Sequence, residues 1–156
     1  GCAYLLLRTA WVYGARGRNF LLTMLRAAAQ REELRVVDDQ IGSPTGADLL
    51  ADVTAHAMRT AEARPEVAGT YHAVAAGETS WYGYARHVIQ CARDAGLAVK
   101  VAPGAIHPVA TSAFPSPARR PGNSRMNTAK LRGTFGLALP PWQRGVERML
   151  TEVLGR

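Results

Sequence analysis

The 156-residue chain is poor in cysteine, in lysine and in long apolar runs, and each shortage closes a class of function. Its two cysteines, Cys2 and Cys91, stand far apart and form no CxxC pair, so a disulfide scaffold is not in view. Free thiols in a reducing cytoplasm are expected. No apolar stretch approaches the roughly 18 residues of a membrane span, so no membrane partner is expected. Only Lys100 and Lys130 are lysine, and the positions four before them hold Gly96 and Met126. A Tyr-x-x-x-Lys pair is therefore missing, as is any GxGxxG turn. His56, His72, His87 and His107 are not grouped at ligand spacings, and no metal ligand is assigned among them.

What is present is ordinary globular composition, 47% hydrophobic and 20% charged, with a net charge of +7. The length fits one domain. The charge is carried almost wholly by arginine, spread along the chain rather than run together, and it forms no basic stripe with interleaved aromatics. That argues against a nucleic-acid partner. Arginines in loops suit a small anionic substrate better.

Residues 4–7 (Tyr4 to Leu7) are a short apolar run of the kind that forms a strand buried on both faces of a parallel sheet. Ligands bind beyond the carboxyl ends of such strands, which places Thr9, Ala10 and Trp11 where a ligand would lie. Only three residues precede this strand, so the chain reads as the back half of a larger α/β protein.

Asn19 can cap a helix in which Phe20, Met24, Leu25 and Ala28 recur at helical spacing. A strand is expected at 34–38, a loop at 40–45, a helix at 47–61 and a strand at 69–75. Thr79 or Ser80 caps a third helix, which Gly96 ends. Five prolines between Leu97 and Asn123 break any long element there. Short helices follow at 128–134 and 141–154, with Pro141 in the first turn of the last. Trp81 and Trp142 open helices and read as packing anchors.

Four loops carry the chemistry: Thr9 to Tyr13, Asn19-Phe20, Asp39 to Thr45, and Ser116 to Ser124. Together they offer an indole face, carboxamides, hydroxyls and an arginine pair. This set suits a phosphorylated, hydroxyl-rich ligand. Each residue also has a plainer reading. Trp11 is a sugar wall or a core aromatic; Asn19 is a ligand contact, a helix cap, or both. Gln40 approaches a nucleotide or stabilises its turn. Arg119 and Arg120 bind a diphosphate or are solvated loop charges. Asp38-Asp39 is a cation site or an acidic strand end.

Taken in order, Leu7-Arg8-Thr9-Ala10-Trp11-Val12-Tyr13-Gly14, Asn19-Phe20, Met24-Leu25, Val37 to Thr45, Gly77-Glu78-Thr79-Ser80-Trp81, Pro115 to Ser124 and Phe135-Gly136 resemble the extended short-chain dehydrogenase/reductases, most closely the dTDP-4-dehydrorhamnose reductase family. The likeness implies an α/β fold: the C-terminal part of a Rossmann-like parallel sheet (residues 1–96) with a small substrate-binding lobe (residues 97–156). It implies that the NADP-binding half, with the glycine-rich turn and the catalytic Tyr-x-x-x-Lys, lies outside this chain. It further implies a parent enzyme, cytoplasmic, that uses NADPH to reduce the C4 ketone of a dTDP-sugar, with Mg2+ and a homodimer as further expectations. Glu147 and Glu152 lie on the last helix without an assigned role. By resemblance Thr9 and Ala10 lie near the nicotinamide, and Trp11, Asn19, Gln40, Arg120 and Asn123 contact the substrate, Arg120 neutralising its diphosphate. No catalytic residue is expected in this chain. Two alternatives stay open: another extended-type nucleotide-sugar epimerase or dehydratase, and a non-catalytic protein like the regulatory subunit of methionine adenosyltransferase.

Overall fold

The computed structural model describes residues 4–114 and 120–155; Cys2 and Arg119 fall outside them. Eight short strands and five helices run in the order β1 (Leu5–Arg8), β2 (Val12–Tyr13), α1 (Phe20–Gln30), β3 (Leu34–Val37), β4 (Ile41–Gly42), β5 (Thr45–Gly46), α2 (Ala47–Ala63), β6 (Gly69–His72), β7 (Thr79–Ser80), α3 (Trp81–Asp94), β8 (Ile106–Val109), α4 (Ala129–Phe135) and α5 (Trp142–Val153). Among the described residues, β1 pairs parallel with β6, β2 with β5, and β3 with β8, while β4 pairs antiparallel with β7. This is the α/β class expected.

Local chemistry sets the helix ends. The Asn19 side chain accepts the Leu22 N–H at 3.0 Å, and the Ser80 hydroxyl accepts the Gly83 N–H at 2.9 Å. Each satisfies one of the donors a helix leaves open at its start. Gly96, at φ +79°, closes α3 from the left-handed region, which costs glycine little. Pro141 is extended (φ −56°, ψ 142°) and sits just before α5 rather than inside its first turn.

Three apolar clusters hold the layers. Leu21, Tyr84, Val88, Trp142 and Val146 join α1, α3 and α5. Ala28, Leu34, Val36, Ile89 and Ile106 seat α1 and α3 on β3 and β8. Val53, Ala57, Tyr71, Leu131 and Phe135 pack α2 and α4 around β6. Each fully buried large side chain contributes about 1.5–3 kcal/mol.

Four expectations need correction. Strand β1 is not buried on both faces. Leu5 and Leu7 pack inward, but Tyr4 is 63% and Leu6 48% exposed, because helices cover one side of the β1–β6 pair alone. The 97–123 segment is not wholly irregular, since Ile106–Val109 forms β8 despite Pro108. A strand paired on one side only tolerates a residue that cannot donate. The 40–45 loop contains β4 and the first residue of β5. The predicted strand at 69–75 also ends earlier, at His72.

The buried Tyr84 hydroxyl has no hydrogen-bond partner among the described residues. Because an unpaired buried hydroxyl costs about 1–3 kcal/mol, Tyr84→Phe should hold or raise the melting temperature. A clear fall in a thermal melt would show that the hydroxyl is satisfied.

Candidate functional site

The chain leaves β1 through Thr9 and Ala10 and turns at Trp11, the only non-glycine among the described residues with positive φ, at 50°. Holding an indole-bearing residue there costs about 1–2 kcal/mol, so the surroundings must enforce it. They do so from two sides. The Trp11 carbonyl accepts the Thr45 N–H at 3.1 Å. The Trp11 ring stacks on Trp81 with centroids 3.7 Å apart and planes 14° from parallel.

Gly42 explains why the 39–45 loop needs a glycine. A Cβ at that position would stand 2.6 Å from Trp11 Cε2, so only a bare Cα allows the ring to lie against β4. Phe20 packs on the other partner, 4.6 Å from the Trp81 ring. The result is an aromatic shelf of three rings drawn from the β1 turn, the start of α1 and the start of α3.

Polar groups fix the loop beneath it. Ser80 donates to Asp38 Oδ1 at 2.5 Å, and the Ser43 hydroxyl donates to the Gly77 carbonyl. Thr45 Oγ1 donates to the Ser43 carbonyl at 3.1 Å and accepts from the Ala75 N–H. Asp39 accepts from the Thr111 N–H at 2.9 Å and from its hydroxyl at 2.5 Å. The Thr111 hydrogen bonds hold the Asp39 carboxyl below the usual carboxylate range.

The candidate residues fare differently. Thr9 presents a buried hydroxyl with no partner among the described residues, which leaves it available to a ligand. Trp11 is half-buried and forms the shelf. The Asn19 carboxamide is engaged at both ends, donating to the Gly14 carbonyl at 2.7 Å and accepting at the helix cap. Gln40 is likewise spanned, accepting from Trp81 Nε1 at 3.1 Å and donating to Thr111 Oγ1 at 2.9 Å. Its internal role is to lock the shelf to the loop. Asn123 bridges Ile41, with the Ile41 N–H on the Gly122 carbonyl at 2.9 Å and the Ser124 N–H on the Ile41 carbonyl at 2.8 Å. Arg120 is exposed three residues earlier, so its segment leads into the 122–124 stretch that pairs with the strand on which Trp11 rests. Arg125 anchors that segment by a two-pronged pair with Glu78, 2.5 and 3.1 Å.

Sequence reasoning missed Trp81 and Thr111 as site residues. Trp81 carries a signal, since it ends the Gly77-Glu78-Thr79-Ser80-Trp81 motif, and its place at a helix start marks it as the packing anchor that it also is. Thr111 carried none, since it meets Asp39 from 72 residues away. The reading of Trp142 as an anchor holds, because it is buried in the core. Burial raises the phenols of Tyr13 and Tyr84 far above their ordinary value, which makes both poor proton donors. His87, which the sequence spacing leaves ungrouped, meets Cys91 and Glu147 between α3 and α5.

Residues 1–154 match the family described as RmlD substrate binding domain. The chain is 56% identical over 153 residues to the dTDP-4-dehydrorhamnose reductase of Escherichia coli K12, covering 97% of this chain and 50% of that protein. It is 44% identical to that of Burkholderia thailandensis, over all of this chain and 54% of the relative. Among solved structures, the Bacillus anthracis dTDP-4-dehydrorhamnose reductase in complex with NADP superposes with a TM-score of 0.83 at 36% identity, covering 96% of this chain and 48% of that one. The chain thus spans about half the length of the relatives it matches.

Two outcomes are expected. Gly42→Ala should push Trp11 off Trp81, abolish the coupled-indole signal in near-ultraviolet circular dichroism, and destabilise the chain by about 1–3 kcal/mol. Asp39 has a lowered pKa, so the stability it adds is present above its unfolded value of 3.8 and is lost as pH falls through its folded value. Carboxyl NMR titration should show that lowering vanish in Thr111→Val.

Proposed function

The chain belongs to the RmlD substrate binding domain family, and on that premise we propose that it is the sugar-nucleotide-binding half of an NADPH-dependent dTDP-4-dehydrorhamnose reductase. The observation that carries this reading is the left-handed Trp11, stacked on Trp81 beside the unpaired Thr9 hydroxyl at the carboxyl end of β1. An enforced strained backbone next to an unsatisfied buried hydroxyl is what a ligand-binding turn requires.

In this reading residues 1–96 supply most of the sheet-bearing part, to which β8 adds one strand, and residues 97–156 otherwise form the lobe that closes over the sugar nucleotide. NADPH, when bound to the whole protein, supplies the hydride for the C4 ketone of dTDP-4-dehydro-L-rhamnose. The residues of this chain bind and orient. Thr9 Oγ1 and the backbone at Ala10 hold the nicotinamide end of the cofactor. The Trp11 indole walls the deoxyhexose and keeps water from its face. Arg120 supplies a planar pair of donors to the diphosphate, and Asn123 serves the ribose. Asn19 and Gln40 act mainly by holding the α1 start and the shelf in place, with their remaining hydrogen-bonding capacity turned to the nucleotide. The proton donor belongs to the other half, since no tyrosine here has lysine four residues on.

An apolar groove between β1 and α2 fits that arrangement. Tyr4, Leu5, Leu7, Ala57 and Met58 line an apolar groove of about 700 Å3, and Tyr4 and Met58 are exposed. A contiguous apolar groove of this kind is a docking face, and the cofactor-binding half is its occupant in this reading. A second copy of the chain is the other partner the family reading implies. Magnesium needs converging oxygen donors. Among the described residues of one copy no such trio of carboxylates gathers, so no step is assigned to that ion.

Titration calorimetry with dTDP should detect binding by this chain, and Arg120→Ala should weaken it on the order of tenfold or more. Unchanged affinity would remove Arg120 from the site. The chain alone should not oxidise NADPH in the presence of dTDP-4-dehydrorhamnose; turnover by it would refute the division of labour.

A further inference from the structure

Farther along α3 from Trp81, His87 and Cys91 stand one helical turn apart and face α5. Residues four apart share a helix face, so both side chains point the same way. Glu147 comes from α5, which packs against α3 through Val88, Trp142 and Val146. His87 Nε2 lies 3.5 Å from Cys91 Sγ and 3.7 Å from Glu147 Oε1, and all three ligand atoms fall within 4.8 Å of one another.

These spacings fit one face of a coordination tetrahedron. Zinc bonds of about 2.3 Å to sulfur and about 2.0–2.2 Å to nitrogen and oxygen place tetrahedral neighbours about 3.4–3.6 Å apart. Two of the three edges are already close to that length. The third closes with a small rotation of the Glu147 carboxylate, which is more than half exposed and free to turn. The His87 ring is held edge-on to Trp142, with centroids 5.0 Å apart, so the nitrogen that faces the cluster is oriented by packing.

We propose that His87, Cys91 and Glu147 form a binding site for one zinc-class divalent cation that clips α5 to α3, with the fourth position open to solvent. The donor set is mixed nitrogen, sulfur and oxygen, which selects zinc or cobalt over magnesium or calcium. On binding, the sulfur–metal bond forms as the thiol proton leaves to solvent. Histidine coordinates in its neutral form through Nε2. Cys91 lies ten residues along α3 from Trp81, about 15 Å, so the site is distinct from the shelf. Its effect is mechanical: α5 carries Trp142 and Val146 into the core beneath Tyr84, on which Phe20 and Trp81 rest.

The test is Co2+ titration of the full chain, read by absorbance. One equivalent should give a thiolate-to-cobalt charge-transfer band in the near ultraviolet and tetrahedral d–d bands in the visible, both bleached by one equivalent of Zn2+. Cys91→Ser should abolish the charge-transfer band. His87→Gln and Glu147→Gln should each lower Co2+ affinity at least tenfold, and Cys2→Ser should leave the spectrum unchanged. Far-ultraviolet circular dichroism checks that each variant folds; if Cys91→Ser does not, His87→Gln, which retains the thiol, decides by affinity. The absence of a charge-transfer band on the folded chain would overturn the proposal. So would a band surviving in Cys91→Ser, a band lost in Cys2→Ser, or unchanged affinity in the His87 and Glu147 variants.

Discussion

The stack of Trp11 on Trp81 is the interaction on which the arrangement of the site depends. It joins a turn after β1 to the first residue of α3, two places 70 residues apart in sequence, and it does so with Trp11 in an unfavourable backbone conformation. The cost of that conformation is offset by aromatic contact, by the Thr45 N–H on the Trp11 carbonyl, and by the space that Gly42 leaves. The rest of the loop chemistry serves this contact. Gln40 ties the Trp81 nitrogen to Thr111, Ser80 caps α3 while donating to Asp38, and the Ile41 backbone receives the arginine segment.

That design divides the residues into holders and presenters. Asn19 and Gln40 each have both ends of their carboxamide occupied within the protein, so their main work is to fix geometry. Thr9 and Arg120 are the reverse: one hydroxyl is buried and unmatched among the described residues, and one arginine is exposed two residues before the Gly122 that meets Ile41. A binding site needs both kinds, because a first contact is only as precise as the groups that support it. Farther along α3, His87 and Cys91 meet Glu147 of α5 in a second cluster. One helix thus connects the shelf to a second patch of ligand chemistry.

Much of the fold was legible because local rules decided it. Helix starts at Asn19 and Ser80 and the stop at Gly96 follow from side-chain capping and from the left-handed freedom of glycine. The β8 strand was not legible, since Pro108 signals a break and only a partner on one side makes it tolerable. Likewise the exposure of Tyr4 and Leu6 is invisible in an apolar run, which reads the same whether one face or two are covered.

The sequence by itself determined the α/β class, the family likeness and the identity of the turn that bears Trp11, because these rest on short-range periodicity and contiguous motifs. Tertiary structure alone decided that Trp81 faces Trp11, that Thr111 holds Asp39 and Gln40, and that Glu147 reaches His87. Each of these pairs is separated by tens of residues. Their meeting depends on how layers pack, and packing is set by the whole set of buried side chains rather than by any local pattern.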